Sequence, residues 1–230
     1  MVPEERFVIH DPPASVHPES IMNRVLLLAL ALAVAITGRA DDAAPATTDR
    51  HPELKRLGKT EDVWLDVAGK RVVVGGVICL DKGPIEYFAC PEKTKDYESL
   101  VAVRSSSQLI HAGLLAIGLQ PGTPVSFDPE YQPAKGPVVS VTMRWKDKAG
   151  KTHEVPAQEW IRDTRTKAAM KERWVFAGSA FWTDPADGKE YYQADGGDFI
   201  CLSNFPTAML DLPIPSTQTN DALLFEVFEG

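Results

Sequence analysis

Cys90, in the run "FACPEK", is the side chain whose neighbours best equip it for chemistry. Pro91 turns the chain out of an apolar strand there, and Lys93 and Lys95 stand close by. Positive charge near a thiol lowers its pKa and raises its thiolate fraction. A nucleophilic thiol also needs a base, and His111, in a segment of helical spacing, is the candidate. Cys90 and His111 are therefore the catalytic pair to look for. Against that reading, His111 adjoins an apolar stripe, where a packed histidine is the commoner outcome, and a buried or bridged cysteine is commoner than a nucleophile.

The same residues raise the question of a metal. Cys90, His111 and Cys201 are borderline-soft ligands that suit zinc, although no C-x2-C or H-x3-H pair is present to nucleate a site. The runs "DPADGKEYY" and "DGGD" offer Asp184, Asp187, Asp195 and Asp198 as hard oxygens of the kind calcium prefers. Both runs read first as turns, because Asp-Gly supports positive backbone φ. Ser99 and Ser179 lack the G-x-S-x-G setting of a hydrolase nucleophile. Glu98 and Glu159 could act as acid and base only if the fold joins them. No cofactor is named by any motif.

These residues must be positioned by short elements. Val63, Leu65 and Val67 alternate as a half-buried strand, "AGK" turns the chain, and Arg71 to Leu80 continues as a strand with a bulge expected at Gly75-Gly76. "DKGP" then predicts a hairpin into Ile85–Cys90, with Leu80 opposite Ile85. "SLVAV" is a further strand. Ser105 with Gln108 three residues on forms a capping box. It leads a helix over about 105–118 that carries Ile110, Leu114 and Ile117 on one face and ends at Gly118. "PVSF" enters a strand. "VVSVTMRWK" and "THEVPA" make a hairpin around "DKAGK", and "RDTRTKAAMKER" is a candidate surface helix. "WVFAGSAFW", "EYYQA" and "FICLS" read as a meander, and "DALLFEVFEG" as a last helical turn or edge strand. Phe205, Met209, Leu210 and Leu212 are expected to close the core, with a peptide- or ligand-binding groove as the functional alternative. The fold class is α+β: a mainly antiparallel curved sheet or partly open barrel with one clear helix.

Composition bounds the compartment and the partners. From Met22, "MNRVLLLALALAVAITGRADD" has a basic start, an apolar run and small residues at Gly38 and Ala40, the three parts of an export signal. The run is shorter than the roughly 20 residues a membrane span needs. Residues 1–21, charged, Pro-rich and without periodicity, read as a mis-called start and are expected to be disordered. Residues 22–40 read as the signal peptide, 41–60 as a linker, and 61–230 as a single domain. The expected location is periplasmic or secreted, with no membrane-embedded part once the signal is removed. The formal net charge of −8, with no basic cluster, argues against nucleic acid as a partner. In an oxidising compartment, three cysteines predict one disulfide and one odd thiol. The expected hairpin register disfavours Cys79–Cys90 and leaves Cys90–Cys201 as the pairing to look for.

"GPIEYFACPEKTKDYESLVAV", "IHAGLLAIGLQPGTPVSF", "WVFAGSAFW" and above all "DGGDFICLSNFPTAMLDLP" resemble the bacterial YdjY domain family, from about Trp64 to the C-terminus. The resemblance implies an exported protein and supplies no mechanism. Some members carry a ferredoxin-like label, but a cluster needs about four thiolates, typically as C-x2-C-x2-C, and Cys79, Cys90 and Cys201 have no such spacing. Family members continue past "LLFEVF" into a further strand, so the resemblance implies a final sheet edge that differs here. The leading expectation is a non-catalytic module that binds a protein or envelope component. A redox- or metal-linked accessory protein using Cys90 is the alternative, and a thiol- or carboxylate-dependent hydrolase comes third.

Overall fold

The computed structural model describes residues 5–10, 50–216 and 223–228. The export signal expected over residues 22–40 lies outside them. Fifteen strands and one α-helix follow in order: β1 (Glu5–His10), β2 (Lys55–Leu57), β3 (Val63–Asp66), β4 (Arg71–Ile78), β5 (Tyr87–Pro91), β6 (Ser99–Val103), α1 (Ser107–Ala116), β7 (Val138–Lys146), β8 (Thr152–Pro156), β9 (Ile161–Asp163), β10 (Trp174–Phe176), β11 (Phe181–Thr183), β12 (Glu190–Tyr192), β13 (Ile200–Cys201), β14 (Leu210–Asp211) and β15 (Phe225–Val227).

Most of these strands form one curved, mixed sheet in the order β1-β7-β10-β14-β13-β5-β6-β4-β3-β2, with β8 on β7. A further pairing of β1 with β4 closes eight of them into a ring. The fold is mostly sheet with one helix, as the short-strand pattern predicts. Apolar residues from every part of the ring meet inside it, among them Val72, Val74, Phe88, Leu100, Val141, Met143, Trp174, Phe176, Met209, Leu210 and Leu212. Phe205 is half-buried and stacks on Tyr87 at 5.1 Å.

The helix lies against β3 and β4. Gly113 permits the close approach, since a Cβ there would meet Leu57, Val72 and Leu65 at 3.3–3.4 Å. Its cap is Ser106, not Ser105: the Ser106 hydroxyl accepts from Leu109 N at 3.2 Å. Gly118 terminates it with φ +98°, as a glycine at that position should.

Several local expectations are corrected by long-range pairing. The hairpin between β4 and β5 does not form, because β6 lies between them, antiparallel to β4 and parallel to β5. Gly75-Gly76 marks a change of partner rather than a bulge: Val74 faces Val63 of β3, and Gly76 faces Val103 of β6. Cβ atoms at these glycines would meet Asp62 Cβ and Val101 Cγ1 at 2.7 Å. "PVSF" forms no strand, only isolated bridges such as Ser126 to Gln132. The stretch read as a surface helix contributes β9 and turns instead. The meander is interrupted, since β11 and β12 pair only with each other. Within the expected linker, β2 pairs with β3. Residues 5–10, read as aperiodic, form β1, because two strand edges flank them.

Candidate functional site

The structure places Cys90 on β5, fully buried, with its thiol 3.6 Å from Asp96 Oδ1. Burial pushes this thiol up, and Lys95 carries its ammonium to Tyr87 and Glu98 instead. Lys95 Nζ donates to the Tyr87 hydroxyl at 2.9 Å, lies 3.3 Å from Glu98 Oε1 and rests 4.9 Å from the Tyr87 ring centre. Burial works against its charge, and Asp198 and Glu98 outweigh that, so the ammonium is held above its ordinary range.

His111 does not join Cys90. Its Nδ1 lies 2.6 Å from the Tyr192 hydroxyl, and its ring packs edge-on against Phe176 and Tyr192. Tyr192 in turn donates to Gly178 O at 2.8 Å. One hydroxyl proton cannot serve both bonds, so His111 carries its proton on Nδ1 and donates to the tyrosine oxygen. Burial lowers its pKa and keeps the ring neutral. His111 is thus a packed, satisfied histidine tying α1 to β12.

All three cysteines are free thiols, so the expected disulfide is absent. The register explains this. Cys201 lies opposite Tyr87 rather than Cys90, while Cys79 N bonds to Leu100 O across β6 from Cys90. Burial raises Cys79 to about 12 and raises Cys201 as well. The aspartates are engaged in local structure. Asp195 accepts from Gln108 N at 3.1 Å, capping the first turn of α1, and Asp198 accepts from the Thr207 hydroxyl. Asp184 and Asp187 accept from Ala186 N and Lys189 N within their turn. Among the described residues, no three His, Cys, Asp or Glu side chains gather as a metal site would require.

What the fold does assemble is a groove of about 640 Å³. One wall is Ile78 and Leu80, where the chain leaves β4, with Leu100 of β6 at the floor. The other wall comes from the β7–β8 hairpin, as Trp145 and Val155, and from Trp160 in the turn that follows. Val227 and Phe228 close one end. The walls are fixed by their own contacts. Trp145 stacks on His153 at 5.1 Å and meets Trp160 edge-on at 5.4 Å, while His153 bonds to Asp147 at 2.9 Å. Phe228 N donates to Trp160 O at 2.9 Å, and the Arg162 guanidinium, paired with Glu226, lies over the Phe228 ring. Asp81, Lys82 and Glu159 stand exposed at the rim. Apolar and aromatic walls with a few charges at the mouth suit binding of an apolar group.

Sequence reasoning placed Trp145 within the alternating strand "VVSVTMRWK" and did not single out Trp160 or Phe228. It also missed Asp211, whose carboxyl is fully buried in "AMLDLP". Asp211 Oδ1 accepts from Asn204 Nδ2 at 3.1 Å and Leu212 N at 2.8 Å, and Oδ2 has no partner. Burial raises this carboxyl to about 7. An acid inside an apolar run was the signal available.

Among the described residues the chain is a mostly-sheet α+β domain with one α-helix and a groove walled by aromatic side chains. The chain belongs to the YdjY domain family, whose model matches residues 63–229 and fixes no specific activity. It matches no curated protein and no solved structure. Among the described residues no helix is long and apolar enough to cross a membrane.

Proposed function

We propose that the chain is exported, cut after Ala40, and serves as a non-catalytic module that binds an apolar segment of a protein or envelope component. The groove walled by Trp145, Trp160 and Phe228 carries this reading. The acidic balance and absence of a basic cluster favour a protein or neutral partner over nucleic acid. The alternatives built on Cys90 draw no support from a buried thiol whose pKa is raised.

Tryptophan at the groove wall provides the test. An apolar naphthalene-sulfonate dye should bind the folded chain at one site, with energy transfer from tryptophan, and Trp160→Ala together with Phe228→Ala should weaken it at least tenfold. Unchanged dye affinity in the folded double variant would remove the groove as the binding site. The intact mass of protein exported by its own host checks the compartment, since a start other than Asp41 is incompatible with the proposed cut.

A further inference from the structure

β1 lies between β4 and β7 in the ring. It pairs on both edges, with Glu5–His10 antiparallel to Gly76–Arg71 of β4 and Arg6–His10 antiparallel to Arg144–Ser140 of β7. Neither neighbour is joined to it by a turn, and residues 11–49 separate it in sequence from the rest of the domain. Because β1 is antiparallel to both, β4 and β7 run parallel to each other. They are held apart by the width of one strand, about 10 Å on the usual spacing. Val8 and Ile9 are both buried and belong to different apolar clusters. Ile9 enters the main core with Val72, Val74 and Met143, and Val8 joins Trp64, Val73 and Leu54.

Remove Glu5–His10 and the ring opens at a single place. Two facing edges then present unpaired backbone N–H and C=O groups into one slot, with an apolar cluster on each side of it. Such an arrangement binds an extended chain through main-chain hydrogen bonds, with specificity set by the side chains that enter the two clusters. Consecutive apolar residues are required, one for each face, because successive side chains on a strand point oppositely.

We propose that the slot between β4 and β7 is a strand-acceptor site. Glu5–His10 fills it within the chain, and once residues 1–40 are removed it takes an extended segment of a partner protein bearing the same pair of adjacent apolar residues, antiparallel to both edges. This rests on the reading of the chain as an exported binding module and names a second mode of binding for it, beside the aromatic groove that Ile78 and Trp145 wall at the end of the same two strands.

Exchange of the occupant tests the proposal on the full chain. A protease recognition sequence placed within residues 11–49 allows the purified protein to be nicked with every residue still present. A fluorescent peptide of sequence PEERFVIHD is then added in excess. The expected result is uptake of one peptide per nicked chain and none by the intact chain, with at least tenfold weaker uptake of the same peptide carrying Val8→Pro, which removes a ladder N–H. The proposal is overturned if the nicked chain never exchanges its own fragment. Loss of the fragment without faster amide exchange at Arg71–Gly76 and Ser140–Arg144 overturns it as well. So does unfolding on nicking, because an acceptor must survive the exchange of its occupant, and so does equal uptake of the proline peptide. An exported chain that retains residues 1–40 would defeat the export reading alone and leave the exchange result standing.

Discussion

Replacing Asp211 by asparagine should tilt the pH dependence of stability by an amount that follows from the burial of one carboxyl. In the folded chain burial raises Asp211 from 3.8 to about 7. Between those values the unfolded chain has released a proton that the folded chain still holds. Stability from this group is therefore fully present below pH 4 and is lost progressively as pH rises to about 7. A shift of about three units, at about 1.4 kcal/mol each, gives a loss on the order of 4 kcal/mol across that window. Asparagine keeps the carbonyl that accepts from Asn204 and Leu212 N and places its amide where Oδ2 has no partner. An unsatisfied amide costs about 1–3 kcal/mol at every pH, which offsets the curve without tilting it. Urea denaturation followed by tryptophan fluorescence, at half-unit steps from pH 4 to 8, measures both curves. Contributions from Glu86 and Asp195, whose carboxyls burial also raises, cancel in the difference. The variant should gain at least about 2 kcal/mol on the wild type between pH 4 and pH 8, a deliberately low bound on that order-of-magnitude loss. Curves that stay parallel would refute the assignment of Asp211 as a carboxylic acid held neutral by the fold.

Three further outcomes follow from contacts already described. Cys90 and Cys201 should resist iodoacetamide at neutral pH in the folded protein and react fully in urea; rapid labelling of native Cys90 would revive a nucleophilic role. Tyr192→Phe removes the hydroxyl shared by His111 and Gly178. It should cost about 1–3 kcal/mol, as expected where buried partners are left unmet, and a loss below 0.5 kcal/mol on this scale would show the network to be incidental. Gly136→Ala should prevent stable folding, because Gly136 has φ +156° and a Cβ there would lie 2.1 Å from Phe176 O; a variant with an unchanged melting temperature would contradict that packing.

The parts of this fold that follow local rules were readable residue by residue. The helix announced itself through Ile110, Leu114 and Ile117 and its closing Gly118, with the cap displaced by one residue because adjacent serines can serve equally. The β7–β8 hairpin followed from alternation around "DKAGK". The order of strands did not follow, since "DKGP" is compatible with a hairpin and only the placement of β6 beside both β4 and β5 rules it out. The candidate chemistry failed for a related reason. Lys93 and Lys95 adjoin Cys90 in sequence, yet burial of the thiol and the turn of Lys95 toward Tyr87 and Glu98 decide its state. The groove was illegible because its walls come from residues 78–82, 145–160 and 227–228, which meet only in three dimensions.

The join between β13 and β14 has a consequence for how the ring comes apart. Each is two residues long, and their parallel pairing is the single register pair Ile200 to Leu210. Neighbouring side chains brace this seam, as the Trp174 indole N–H donates to Cys201 O at 2.8 Å and Asn204 bonds to Asp211 and Leu212 O. A closed ring under tension parts where the fewest bonds share the load. Thermal opening should therefore start at this short join, where the main chain supplies Met209 N to Asp198 O and Leu210 N to Phe199 O and the indole and carboxamide supply the rest. In hydrogen-exchange mass spectrometry, amides at 199–212 should lose protection before those of β4 and β6.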